Sequence, residues 1–179
     1  MESKRLFVSV NVPEGIRERI FSASAKVLGI EGFKLAEKES LHFTLKFLGS
    51  TPAERVPEIC KSLAAISDFK GFKVSLSGFG AFGRKILWLG VSEGNERMQG
   101  LNSAVNKALH LEPESFIPHL TLARNKNASN AEFGKALSVL KKLEISESFL
   151  VEGFELMESM LSEKGALHSK IASFRLSKS

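Results

Sequence analysis

Tyrosine is missing altogether from the 179 residues, and cysteine, tryptophan and aspartate each occur once, as Cys60, Trp88 and Asp68. A single cysteine excludes a disulfide framework and a four-cysteine zinc site, and its apolar setting predicts plain burial. Nineteen glutamates against one aspartate leave little from which to build the clustered aspartates of a magnesium or calcium site. No apolar run approaches the roughly 20 residues needed to cross a bilayer. Met1 to Arg5 leads into a short alternating segment instead of an unbroken apolar signal core, so a cytoplasmic location is expected. No stretch is low in complexity.

The residues present describe a globular chain, 43% hydrophobic and 25% charged, with 14 phenylalanines and a net charge of +5. Residues 1–89 hold 14 Lys and Arg against 9 acids, whereas residues 90–179 hold 11 against 11. The basic excess therefore sits in the first half, which permits a phosphate-bearing partner without requiring one.

Strand and helix signals alternate along the chain. Leu6, Val8 and Val10 alternate with Phe7, Ser9 and Asn11 as a strand. Pro13 then opens a helix with Ile16, Ile20, Ala23 and Val27 on one stripe. Residues 41–48 alternate again. A second helix begins near Thr51, where Thr51-Pro52-Ala53-Glu54 has the form of a capping box, or near Val56, and buries Val56, Ile59, Cys60 and Leu63. Residues 72–79 and 86–91 read as strands joined by a Gly-rich turn, with a boundary between halves at Gly90 to Asn95. The second half repeats the arrangement: a helix through Met98, Leu101, Val105 and Leu109, a strand from Ile117 to Ala123, and a capping box at Ser129 to Glu132 opening a fourth helix. Strands near 148–152, 154–161 and 167–176 finish the chain, the last two joined at Ser162 to Gly165. An α+β fold follows, antiparallel sheets backed by amphipathic helices.

One short pattern recurs in corresponding strands: Leu41-His42-Phe43-Thr44-Leu45 and Pro118-His119-Leu120-Thr121-Leu122. Alternation sets His42 beside Thr44, and His119 beside Thr121, about 6–7 Å apart on one strand face with an apolar face behind. A lone His-x-Thr is usually a satisfied structural pair; its recurrence in two halves favours chemistry. Displacement at phosphorus needs a base and an acid on opposite sides of the reacting atom, and two facing imidazoles supply both near neutral pH. The threonine hydroxyls would donate to the non-bridging oxygens.

In these longer contexts the chain resembles the two-histidine (2H) phosphoesterase superfamily, and within it the RNA 2′,3′-cyclic phosphodiesterases, also known as 2′-5′ RNA ligases. Arg5 to Val8, Leu41 to Gly49, Leu87 to Val91, Pro118 to Arg124 and Ser159 to Gly165 carry the likeness. It implies a single domain over 1–179, a bilobal pseudo-two-fold duplication whose lobes (about 1–90 and 91–179) enclose a central cleft, with strands exchanged between lobes allowed. The chemistry implied uses no metal and no nucleotide cofactor. A terminal 2′,3′-cyclic phosphate on RNA is opened to a 2′-phosphate, and the reverse direction joins ends through a 2′-5′ linkage. Carried over, His119 is the proton acceptor and His42 the proton donor; Thr44 and Thr121 bind phosphate, with Arg124 and Lys46 as further candidates. Simple alternation sets Arg124 opposite His119, so it reaches the cleft only if the strand ends or bulges there. Phe33 stands where the family has an aromatic, a candidate base-stacking residue, and His168 lies in the final hairpin where a tyrosine is common. RNA with cyclic-phosphate or 2′-5′ linked ends is the partner implied, with no membrane and no protein partner.

Other signals carry less. Gly78 to Gly83 satisfies G-x-G-x-x-G, but a strand follows where a dinucleotide site needs a helix, and Arg84-Lys85 does not complete a P-loop, so a hairpin turn is expected. Arg84 and Lys85 at its tip are candidate backbone contacts. His110 follows a helix end and His168 reads as a surface strand residue. No metal-ligand spacing surrounds the histidines. The competing reading is a non-catalytic RNA-binding module, favoured by the basic first half; it leaves a duplicated acid–base pair without a task.

Overall fold

A computed structural model of the protein describes residues 2–27, 30–162 and 165–178. The elements among them are β1 (Ser3–Asn11), α1 (Glu14–Ser24), β2 (Phe33–Leu35), β3 (His42–Pro52), α2 (Val56–Ala64), β4 (Phe72–Phe82) and β5 (Ile86–Glu93). After these come α3 (Asn95–Ala108), β6 (His119–Asn125), α4 (Asn130–Lys141), β7 (Glu147–Val151), β8 (Gly153–Ser162) and β9 (Gly165–Arg175). The named strands pair antiparallel throughout, in one sheet ordered β7-β4-β5-β6-β3-β1-β8-β9, with β2 on β6. The α+β antiparallel fold expected from the alternating patterns is the fold observed.

The centre of that sheet is its weakest seam. β3 and β6 share a single register pair, Phe43 with Leu120. Two wings therefore diverge from the seam, β3-β1-β8-β9 on one side and β6-β5-β4-β7 on the other. Each wing holds strands from both halves of the chain, so a cut at residue 90 parts neighbours in both. Both histidine strands follow a strand and a helix, β1 leading through α1 and the short β2 to β3, and β5 leading through α3 to β6.

One face of the sheet is covered by helices. Leu6, Val8 and Val10 of β1, Phe43 and Leu45 of β3, Leu87 and Leu89 of β5, and Leu120 and Leu122 of β6 share a core with Ile20, Leu63, Leu101, Val105 and Leu140 from the four helices. Complete burial of each such side chain contributes about 1.5–3 kcal/mol, enough to fix which face of each strand is left over. Phe7 is also buried, but outside this core: it belongs to the opposite face.

Several local expectations need correction. The first helix ends at Ser24, and Ala25–Val27 forms a 3-10 turn that carries Val27 into the core. Thr51 to Glu54 is not a capping box: Thr51 and Pro52 finish β3, residues 53–55 form a 3-10 turn, and α2 starts at Val56 with proline in its first turn. Ser129 does cap α4, with Glu132 accepting in return from the Ser129 amide at 2.6 Å. The short β2 has no alternating signal and exists through its pairing with β6. At the end of the chain the β8–β9 hairpin closes at Ser162 and Gly165, and Glu163 and Lys164 lie outside the described residues.

The Gly-rich segment is the β4–β5 hairpin. Gly83 supplies a left-handed turn residue at φ +52°, and a Cβ at Gly80 would run into the Trp88 ring. These glycines serve a tight turn and a tryptophan, which accounts for the dinucleotide-like spacing.

Candidate active site

Along the seam the uncovered face opens into a cavity of about 920 Å³. His42 and Thr44 from β3 line it, as do His119 and Thr121 from β6. Extending the Phe43–Leu120 register by one residue sets His42 opposite Thr121 and Thr44 opposite His119. Each wing thus offers its imidazole beside the other wing's hydroxyl. The sequence pattern places each pair on its own strand; the seam brings the two pairs together.

Each imidazole lies on an aromatic bed. The His42 ring stacks on Phe7 at 5.0 Å, while His119 meets Phe82 edge-on at 4.7 Å and Trp88 at 6.4 Å. Phe82 and Trp88 come from the two strands of the Gly-rich hairpin, which is how that turn serves the site. Burial pushes the His42 pKa down to about 3, helped by the neighbouring His168 and His119 rings. His119 is lowered as well, chiefly by burial, against a backbone bond that raises it, with Arg124 adding to the lowering. Burial thus favours the neutral form of both rings.

That backbone bond is the 2.7 Å contact between His119 Nδ1 and the Ile117 carbonyl. A carbonyl only accepts, so Nδ1 carries the proton and Nε2 keeps its lone pair. No hydrogen bond from the described residues reaches the His42 ring.

Arg124 lines the cavity too, by way of a bulge. Trp88 pairs with Thr121, but Leu87 pairs with Ala123 and Ile86 with Arg124, so Leu122 is the extra residue on β6. The slip buries Leu122 and Ala123 together and returns Arg124 to the face of His119 and Thr121. β3 slips similarly. Leu45 is extra opposite β1, which pairs Phe47 with Phe7 and brings its ring, 70% exposed, to the cavity wall. The Leu45 carbonyl receives a 2.7 Å hydrogen bond from the buried Asn102 amide on α3. Lys46 also lines the cavity, its ammonium 2.8 Å from Glu114.

Other expectations miss. Phe33 is absent from the cavity wall and packs on Phe133 of α4 at 5.8 Å. His168, expected at the surface, lines the cavity 5.4 Å from the His42 ring. The cavity's cations come from both halves, Arg5, Lys34 and Lys46 from the first and Arg124 and Lys126 from the second, so the first-half excess does not by itself charge the cleft. Arg84 at the hairpin tip is hydrogen-bonded to Asn130. His110 follows the end of α3 in a left-handed conformation at φ +52°.

Residues 12–161 match the model of the 2′-5′ RNA ligase superfamily. The chain belongs to that superfamily. It is 34% identical to an RNA 2′,3′-cyclic phosphodiesterase of Archaeoglobus fulgidus over 95% of this chain and 99% of that one. A second such phosphodiesterase, from Thermus thermophilus, is 32% identical over 96% of this chain and 90% of its own length. Among solved structures, TT0787 of Thermus thermophilus superposes with a TM-score of 0.75 at 28% identity, covering 96% of this chain and 97% of that one. Escherichia coli LigT shares the fold at a TM-score of 0.80 and 24% identity, covering 98% and 99% of the two chains. The matched span of the superfamily includes both His-x-Thr strands and both bulges. No helix among the described residues is long and apolar enough to cross a membrane.

Proposed function

We propose that this member of the superfamily is an RNA 2′,3′-cyclic phosphodiesterase acting in the cytoplasm, working as one unit over residues 1–179 with its two wings as the lobes of the cleft. The observation that carries the reading is the meeting of two His-x-Thr pairs across the β3–β6 seam, both opening on one cavity. Relatives named for this activity, similar along nearly their whole length, support it.

In this reading His119 Nε2 takes a proton from water as the water oxygen bonds to phosphorus. The bond from phosphorus to the 3′ oxygen breaks, and His42 gives its proton to that oxygen, leaving a 3′ hydroxyl and a 2′-phosphate. Thr44 and Thr121, with Arg124 and Lys46, hold the non-bridging oxygens as charge grows on them. His42 enters the reaction neutral in the open cleft, so it gains its proton as the phosphate anion arrives beside it. No metal or nucleotide cofactor takes part. With the 5′ hydroxyl of another RNA end in place of water and the histidine roles unchanged, the same step forms a 2′-5′ linkage and frees the 3′ hydroxyl; run backward, with the roles exchanged, it cleaves that linkage.

The test is incubation of chelator-treated protein with an oligonucleotide ending in 2′,3′-cyclic phosphate. Conversion to a 2′-phosphate is expected, and none with the His42→Ala, His119→Ala double variant. A 3′-phosphate product, or full activity in the double variant, would refute the reading. Salt-sensitive RNA binding without turnover would instead favour a binding module.

A further inference from the structure

His168 stands in the cleft with no part in this mechanism. It sits on β9 opposite Ser159 of β8, edge-on to Phe7 at 5.0 Å and to His42 at 5.4 Å. Its Nδ1 is buried and has no hydrogen-bond partner among the described residues. A neutral imidazole holds one N–H and one lone pair, and a buried N–H without a partner is the rarer and more costly orphan. The proton therefore belongs on Nε2, at the ring edge that faces the cavity, and the unpaired buried atom is the lone pair. A second proton would have to sit on Nδ1, where no acceptor waits. His42 from β3 lies 5.4 Å from the ring, Glu37 from the segment before β3 pulls on its charge, and Arg5 from β1 lines the same cavity. Burial pushes the His168 pKa down, against the pull of Glu37.

We propose that His168 is a neutral hydrogen-bond donor of the cleft, whose Nε2–H holds an oxygen of the scissile nucleotide on the His42 side. The proposal rests on the phosphodiesterase reading above. It gives the two imidazoles of one wall different tasks: His168 donates a hydrogen bond, and His42 carries the acid proton.

Three substitutions separate the donor from the ring. Glutamine places its amide nitrogen where Nε2 stands, asparagine where Nδ1 stands, and phenylalanine keeps the ring contacts with Phe7 and His42 but donates nothing. With the cyclic-phosphate oligonucleotide, His168→Gln should stay within a few-fold of wild type. His168→Asn and His168→Phe should lose about 10- to 100-fold in kcat/KM, the effect of one hydrogen bond to a charged group. His168→Phe should melt at or above the wild-type temperature, since it removes an unpaired buried atom, and His168→Gln should keep both limbs of the wild-type pH profile. Should His168→Phe not fold, the contrast of glutamine with asparagine decides. Wild-type activity in His168→Phe, equal losses in all three variants, or the disappearance of a pH limb in His168→Gln would each overturn the proposal while leaving the phosphodiesterase reading intact. A wild-type protein that leaves the cyclic phosphate unopened overturns that reading, and this proposal with it.

Discussion

The Nδ1–H of His119 donates to the Ile117 carbonyl across 2.7 Å, and this bond leaves Nε2 as the free acceptor of the ring. No described residue fixes the His42 tautomer in the same way. The two histidines of a nearly symmetric pair are thus distinguished by their backbone surroundings, and the one held with its lone pair outward is the one assigned as base. His119→Ala should lower kcat/KM by about 10²–10⁴, the usual contribution of a positioned acid or base. His42→Ala should do likewise, and the double variant should fall little below the worse single one, because the two act as a unit. Single-turnover hydrolysis of the cyclic phosphate measures all three.

The acid must be protonated to work, yet the His42 pKa lies near 3 when the cleft is open. A phosphate diester brings a negative charge beside the ring and favours its charged form. Titration of the His42 ring followed by NMR should therefore show a higher pKa with inorganic phosphate bound than without it. An unchanged ring titration with phosphate bound would mean that the anion does not ready His42 as the acid.

Folding carries the same linkage with a definite sign. Unfolded, His42 titrates near its ordinary value of about 6.5; folded, it titrates near 3. Between those values the unfolded chain holds more protons, so stability falls as pH drops through the window and is fully present above it. The lowered His119 and His168 act in the same direction. His42→Asn should show a smaller loss of melting temperature from pH 7 to pH 4.5 than wild type, and inorganic phosphate should reduce the wild-type loss.

Arg124 reaches the cleft only because Leu122 is an extra residue on β6. If its guanidinium binds the phosphoryl group, Arg124→Ala should raise KM by about 10- to 100-fold, with lysine restoring part of the loss. Unchanged kinetics would remove Arg124 from the site.

Local pattern carried the reading as far as each strand taken alone. Alternation over Leu41 to Leu45 and Pro118 to Leu122 identified both His-Thr pairs and the apolar faces behind them, since parity within one strand needs no knowledge of its neighbours. Whatever depends on a neighbour was beyond reach. The slips at Leu45 and Leu122 exist only relative to β1 and β5, and they decide where Phe47 and Arg124 point. Phe82 and Trp88 form a bed for His119 because β5 lies beside β6, and His168 enters the cleft because β8 and β9 cross to the wing of β1. Phe33, singled out by likeness to the family, packs on α4 instead, where the pairing of β2 with β6 holds it.

The β3 slip also makes a testable weak point behind the site. Leu45 has no partner in register on β1, and the buried Asn102 amide of α3 donates to its carbonyl at 2.7 Å, with Asn106 donating in turn to the Asn102 oxygen. Removing that donor leaves a buried carbonyl unpaired one residue from Thr44, at a penalty of about 1–3 kcal/mol. Asn102→Leu should therefore lower the melting temperature by about 2–10 °C for a chain of this size. It should also lower kcat well below the melting range, because Thr44 and His42 keep their spacing only while the slipped segment is held from behind. A drop in melting temperature with kcat unchanged at low temperature would show that Asn102 supports the fold alone, and that the β1 ladder is sufficient to hold the histidine strand in place.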